Sequence, residues 1–289
     1  MIRDRLARAI ATFVFVSSSF SYLLADSAPV EIEYARTNES ALMLDLHLPS
    51  KNDAPALIVW IHGGAWRAGS RKSVQIEGML EKGWAIASID YRLSPQAAFP
   101  AQIHDIKAAI RYLRAHSKQL SINTEKIVIA GSSAGGHLAA LAGVTNFHSE
   151  LEGTIGEHDD QDSSIQAIVS LYGASNLTSI LKQSTPHGLK VRVPALDLLL
   201  GGQPDDKSGI ARLASPVAHI DADDPPCLLI HGDQDPQMPI NQSHELHGKY
   251  EKAGLDCVFE VIYGGAHGGD QFFDEERINI IDTFLKHRL

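Results

Sequence analysis

Ser133, Asp235 and His267, in that chain order, are the residue types needed to move an acyl group. Ser133 lies in Gly131-Ser-Ser-Ala-Gly135, a match to G-x-S-x-G. A serine hydroxyl is a poor nucleophile at neutral pH. An imidazole such as His267 can take its proton during attack and return it to the leaving group. A carboxylate behind the imidazole fixes its tautomer and stabilises the imidazolium. The intermediate then carries O⁻ and needs N–H donors. The backbone of Ala134, just after the nucleophile, is one. Gly64 and Ala65, in the run His62-Gly-Gly-Ala-Trp66, are the others expected, because a glycine-rich loop can approach a substrate closely.

These residues can meet only if the elements that carry them converge. Continuous apolar runs at Ala56–Ile61, Trp84–Ile89, Lys126–Ala130, Ile165–Leu171, Cys227–Ile230 and Cys257–Ile262 read as strands buried on both faces. Helical spacing is expected over Ser70–Lys82, from Pro100 with a stripe of Ile103, Ile106, Ile110 and Leu113, and over Gly135–Thr145, Pro239–Lys252 and Arg277–Lys286. Val30–Thr37 and Leu42–Leu48 predict a hairpin at a sheet edge. Strands alternating with helices imply an α/β fold, a mostly parallel sheet with helices on both faces. Residues 174–224 lose that rhythm. Pro186, Pro194, Pro204 and Pro216 there suggest an insertion of short helices and loops over the strand ends. In parallel sheets the reactive groups gather at the C-terminal strand ends. His62–Trp66, Ser133, Asp235 and His267 each follow such a run, and the order Ser, Asp, His is that of the α/β-hydrolase triad.

Other residues compete for these roles. Asp233 also follows the Cys227 strand, but Asp235 stands two residues on, where a loop can turn toward His267; Asp233 is expected to order the loop through backbone N–H groups. His62 is expected to hold the glycine loop, His137 to pack, and His231 to be structural, while His104, His244 and His247 read as ordinary helical residues. Trp66 either lines the substrate pocket or anchors its loop. Glu157-His-Asp-Asp160 reads as a solvated acidic loop, and no metal or organic cofactor is implied. Cys227 and Cys257 read as thiols packed on adjacent strands, since a bridge between neighbouring parallel strands is strained.

A net charge of −10 over 289 residues speaks against nucleic acid as a partner. Arg3, Arg5 and Arg8 precede an uncharged run to Ala25, the composition of a signal peptide. Residues 1–25 are thus expected to be an export leader, with no stable membrane insertion after its removal, and 26–289 the catalytic domain. An exported, periplasmic or secreted location follows.

The motifs H-G-G-A-W (62–66), D-Y-R-L-S (90–94), G-S-S-A-G-G-H-L-A (131–139), A-S-P-V (214–217), P-P-C-L-L-I-H-G-D-Q-D (225–235) and G-A-H-G (265–268) resemble those of the α/β-hydrolase esterases. They are near the hormone-sensitive-lipase-like group and most similar to the BD-FAE type. The resemblance implies a serine carboxylesterase for acetyl or feruloyl esters, small or carbohydrate-linked. It also implies Ser133, Asp235 and His267 as the triad, and Gly64, Ala65 and Ala134 as the oxyanion donors. Hormone-sensitive-lipase relatives carry H-G-G-G where Ala65 stands here. The form H-G-G-x-W also resembles kynurenine formamidases, so an aryl formamide stands as the alternative substrate.

Overall fold

The computed structural model describes residues 28–50 and 54–289. The expected leader at residues 1–25 lies outside them. Among the described residues eight strands form one sheet: β1 (Val30–Arg36), β2 (Ala41–His47), β3 (Ala56–Ile61), β4 (Ala85–Ile89), β5 (Asn123–Ser132), β6 (Ala167–Leu171), β7 (Cys227–Gly232) and β8 (Cys257–Ile262). Their order is β1-β2-β4-β3-β5-β6-β7-β8. The β1–β2 hairpin pairs antiparallel to β4, and every pair from β4 to β8 is parallel. This is the mostly parallel α/β-hydrolase sheet that the apolar runs predict.

The strands read as unbroken apolar runs because alternate residues serve two cores. Leu57, Val59 and Ile61 of β3 face one core, with Ile127 and Ile129 of β5; Ile58 and Trp60 face the other, with Val128 and Ala130. Helices cover both faces. α1 (Gly78–Glu81) precedes β4. α2 (Ala101–Ala115) and α3 (Ser117–Leu120) lead into β5, and α4 (Ala134–Gly143) and α5 (Ser149–Glu152) follow it. The insertion after β6 holds α6 (Ile180–Gln183), α7 (Pro186–Leu200) and α8 (Ser208–Leu213); α9 (Asn241–Ala253) and α10 (Glu275–Arg288) complete the set. The expected stripe of α2 is real: Ile103, Ile106, Ile110 and Leu113 are all fully buried. Among the described residues no helix is long and apolar enough to cross a membrane.

Two expectations fail locally. The helix predicted over Ser70–Lys82 shrinks to α1, because tertiary partners capture the backbone of 71–73. Arg71 N–H donates to Asp90 Oδ1 (2.7 Å), Ser88 Oγ to Arg71 O (2.7 Å) and Trp60 Nε1 to Ser73 O (2.8 Å). The insertion, expected to contain only short helices, instead carries α7, 15 residues long. Pro186 starts α7 at its first turn, capped by Thr185, whose Oγ accepts from Gly188 N–H (3.0 Å). Pro194 sits inside the helix, where proline costs about 3 kcal/mol in isolation. Burial of Ala195, Leu196, Leu199 and Leu200 on the same helix offsets it.

Cys227 and Cys257 are register partners across β7 and β8 and remain free thiols. Burial raises the Cys227 thiol well above the usual range, so it behaves as a small apolar side chain.

Candidate active site

Between β5 and α4 the chain turns at a single residue. Ser133 has φ 55° and ψ −115°, a conformation an L-residue adopts only when its surroundings enforce it. Glycines make the turn possible. A Cβ on Gly131 would lie 2.5 Å from the carbonyl of Gly135, and one on Gly135 would lie 2.0 Å from Ile61 O. Ser133 N–H donates to Leu171 O (2.9 Å), tying the turn to the end of β6. The first bond of α4 runs from His137 N–H to Ser133 O, so the helix does not use the Ala134 N–H.

The three separated residues meet here. Ser133 Oγ lies 2.9 Å from His267 Nε2, and His267 Nδ1 lies 2.6 Å from Asp235 Oδ2. A carboxylate only accepts, so Nδ1 carries the hydrogen and Nε2 is left free to accept from the serine hydroxyl. Asp235 Oδ1 accepts from Gln237 N–H (2.8 Å) and Met238 N–H (2.7 Å). Burial alone would raise the Asp235 carboxyl. Hydrogen bonds from His231 and His267, with help from Met238 N–H, overcome that and hold it below the usual carboxylate range. Asp235 is therefore ionised, as a partner for an imidazolium must be.

Asp233 does the loop work expected of it, with Oδ1 accepting from Gly264 N–H (2.6 Å). Gln234 N–H donates to Gly265 O (2.9 Å) alongside, so the loops carrying Asp235 and His267 are bonded to each other. His231 is buried and structural. Nε2 donates to Met238 O (3.1 Å), and Nδ1 accepts from Ser243 Oγ (2.7 Å). The same Nε2 stands 3.4 Å from Asp235 Oδ2.

The glycine loop bends sharply. Gly64, Ala65 and Trp66 have φ of 109°, 52° and 59°. Its folded-back shape is held by Gly64 O, which accepts from the N–H groups of Arg67 and Ala68. His62 Nδ1 donates to Gly63 O (2.7 Å), and the ring stacks on Tyr91 at 4.5 Å. Tyr91 comes from the D-Y-R-L-S stretch. Its hydroxyl donates to His62 O (3.1 Å), and Ser94 N–H donates to Trp66 O (2.7 Å).

Trp66 is not part of the substrate pocket. It is fully buried, and Nε1 donates to His137 Nδ1 (3.0 Å). His137 Nε2 in turn donates to Ala214 O (2.6 Å). Desolvation holds His137 down to about 4, so it stays neutral and this donor–acceptor chain has one polarity at physiological pH. Trp66 is the loop's anchor, tying it to α4 and to the start of A-S-P-V. An indole with one polar edge fits that role, since a buried N–H needs a partner.

A cleft of about 690 Å³ opens over Ser133 and His267, with Gly64 and Ala65 on its wall. The rest of its lining is mixed: Arg67, Ser73, Gln75, Ser132 and Gln237 contribute polar groups, and Ala68, Tyr172 and Val191 of α7 contribute apolar surface. Gln75 and Ser132 escaped the sequence reading; Ser132 Oγ donates to Gln75 Oε1 (2.8 Å). So did Tyr172, which follows β6, holds φ at 39° and packs edge-on against His267 at 4.9 Å. Burial pushes its phenol up to about 12, so it is neutral. The strand-end rule, applied to Ile165–Leu171, points directly to Tyr172.

Known proteins resemble the chain in sequence and in fold. The BD-FAE family model matches residues 44–250, a span that includes the glycine loop, Ser133 and Asp235 and ends before His267. A probable carboxylic ester hydrolase of Mycobacterium tuberculosis, LipM, is 33% identical over 215 residues, covering 73% of this chain and 48% of its own. The truncated form of a carbohydrate esterase from gut microbiota superposes with a TM-score of 0.83 at 33% identity, covering 91% of this chain and 98% of that one. A thermophilic esterase of Thermogutta terrifontis, with propionate bound, gives a TM-score of 0.75 at 25% identity, with coverage of 91% and 95%. The chain spans about half the length of the curated relatives it matches.

Proposed function

The chain belongs to the BD-FAE family, and we propose that it is an exported serine carboxylesterase acting on short-chain acetyl or aryl (feruloyl) esters through an acyl-enzyme on Ser133. One observation carries the reading: Ser133 Oγ, His267 and Asp235 form a continuous hydrogen-bonded line with spacings of 2.9 and 2.6 Å. Ser133 Oγ attacks the acyl carbon as His267 Nε2 takes its proton. The carbonyl oxygen becomes O⁻ and is met by the N–H groups of Ala134, Gly64 and Ala65. His267 then returns the proton to the departing alkoxide, leaving the acyl group on Ser133. Water, deprotonated by the same nitrogen, attacks the acyl-enzyme and regenerates the serine. Loss of one oxyanion donor typically costs roughly 10²–10³ in rate.

Arg67, Ser73, Gln75, Ser132 and Gln237 on the cleft wall support a polar leaving group, and Ala68, Tyr172 and Val191 offer apolar surface for a short acyl or aryl group. The carbohydrate esterase among the structural neighbours points the same way, toward small or sugar-linked esters. The leader-like composition of residues 1–25 supports action outside the cytoplasm, where polymer substrates lie.

Hydrolysis of p-nitrophenyl acetate, butyrate and octanoate, with methyl ferulate and acetylated xylan alongside, tests the reading. The expected kcat/KM is highest at acetate and falls toward octanoate. No turnover of any ester would overturn it. The motif H-G-G-A-W also supports an aryl formamidase, and turnover of N-formylkynurenine well above p-nitrophenyl acetate would reverse the order.

A further inference from the structure

The insertion reaches behind the active site and grips the loop that carries Asp235. Two consecutive peptide units do the holding. In the first, Pro236 O accepts from Thr185 Oγ (2.5 Å), and the N–H of the same unit, on Gln237, donates to Asp235 Oδ1 (2.8 Å). In the second, Gln237 O accepts from Arg192 Nη2 (2.6 Å), and the paired N–H, on Met238, donates to the same carboxylate oxygen (2.7 Å). Each unit thus relays a bond from the α7 segment to Asp235. A hydrogen bond at a carbonyl strengthens the donor at the other end of its peptide. Gly188 of α7 closes against the same two carbonyls; a Cβ there would lie 2.9 Å from Gln237 O and 3.3 Å from Pro236 O.

Arg192 is an unusual side chain to find there. It is 1% exposed, and its Nε has no hydrogen-bond partner among the described residues. Among those residues no carboxylate comes within ion-pairing distance of it. Burial lowers its guanidinium to about 10, which leaves it charged at neutral pH, and the carboxylate that opposes the lowering is Asp235. A buried cation without a direct counter-ion is costly to keep, and such groups gather at functional sites.

We propose that Arg192 is a positioning residue for acyl transfer: through the Gln237–Met238 peptide it aligns and polarises the donors that hold Asp235, and its charge offsets part of that carboxylate's. The proposal rests on the reading of Ser133, His267 and Asp235 as the reacting line. Around His267 and its carboxylate stand Asp235 and His231 from the end of β7, Tyr172 after β6 and Ser133 at the turn. Asp233 on the Gly264 N–H, His62 and Arg67 on the cleft wall and Arg192 behind the loop stand near as well. Only the neutral imidazole can accept the serine proton. The imidazolium would be a second positive charge near Arg192, so Coulomb's law gives the sign of the change when the first is removed.

Removing the charge therefore moves the acid limb of the kcat/KM–pH profile toward higher pH. Arg192→Gln stays polar but carries no charge; its limb is expected to rise by on the order of one pH unit, the coupling of two charges about 10 Å apart at an effective dielectric of ~20. Arg192→Lys keeps the charge and should restore the wild-type limb. Arg192→Met, apolar and of similar length, is the second uncharged variant and should shift like the glutamine should that one fail to fold. An unmoved limb in the folded uncharged variants would overturn the proposal, as would an equal shift in the lysine variant. Ser133→Ala separates the two readings. If it retains activity, the reacting line itself is wrong, whereas an inactive Ser133→Ala with an unmoved Arg192→Gln limb condemns only the role of Arg192.

Discussion

Ser133→Ala is expected to lower kcat for p-nitrophenyl acetate by roughly 10⁵-fold or more, as removal of the nucleophile does in serine hydrolases. The substitution removes one oxygen. Alanine keeps the Cβ that the turn already accommodates at φ 55°, and Ser133 N–H still donates to Leu171 O (2.9 Å). The cleft and its N–H donors survive, so substrate should still bind with a KM near that of the parent. Steady-state kinetics on protein purified free of host esterase checks this. A loss of less than tenfold would mean that the acyl group is transferred elsewhere.

Asp235→Asn should cost kcat about 10⁴-fold, the size seen when a triad carboxylate becomes an amide. The structure says why. Gln237 and Met238 N–H groups both point at Oδ1, so the asparagine carbonyl oxygen takes that position. Its NH₂ is then turned toward His267 Nδ1, where Oδ2 stood at 2.6 Å. Nδ1 must then accept, the ring hydrogen moves to Nε2, and Nε2 can no longer take the serine proton. His231 Nε2–H, 3.4 Å from the same atom, would face a donor as well. Intact loop bonds should leave the fold in place, which circular dichroism checks while kcat collapses. A variant with near-parental kcat would show that the imidazole is oriented by something other than Asp235.

The strands, and the meeting of Ser133, His267 and Asp235, were legible in the sequence for one reason. Both depend on local composition: apolar runs buried on two faces, and residue types placed just after them. What failed depends on the direction of single side chains. Trp66 stands in the glycine loop, but no spacing rule tells whether an indole turns toward the cleft or toward His137. Residues 70–77 carry helical spacing, yet Asp90, Ser88 and Trp60 offer their backbone better partners than the next turn would. The prolines of the insertion were read as breaks. Pro186 instead begins α7, since a proline in the first turn has no N–H to waste. Arg192 had no sequence signal at all. Its meaning lies in one peptide unit, Gln237–Met238, 45 residues further along the chain.

The backbone around the site repeats one theme. Ala65, Trp66, Ser133 and Tyr172 all hold positive φ, and all four belong to the glycine loop, the Ser133 turn or the wall beside His267. A non-glycine residue in that region costs of order 1–3 kcal/mol, so each is retained against a local preference. Ala65 shows the tension most clearly, standing where glycine would be free of strain. The bonds from Gly64 O to Arg67 and Ala68, and from Trp66 to His137, keep the loop in its bent form.

The central claim is that Ser133 Oγ forms the covalent bond to the acyl group. It is tested most directly by treating the protein with diethyl 4-nitrophenyl phosphate, whose phosphorus is attacked by an activated serine with loss of 4-nitrophenolate. Release of 4-nitrophenolate should stop at one equivalent per chain. Esterase activity should disappear in step, and peptide mass analysis should place the phosphoryl group on Ser133, with no reaction in Ser133→Ala. An adduct on another residue, or an equal release by the alanine variant, would contradict the account.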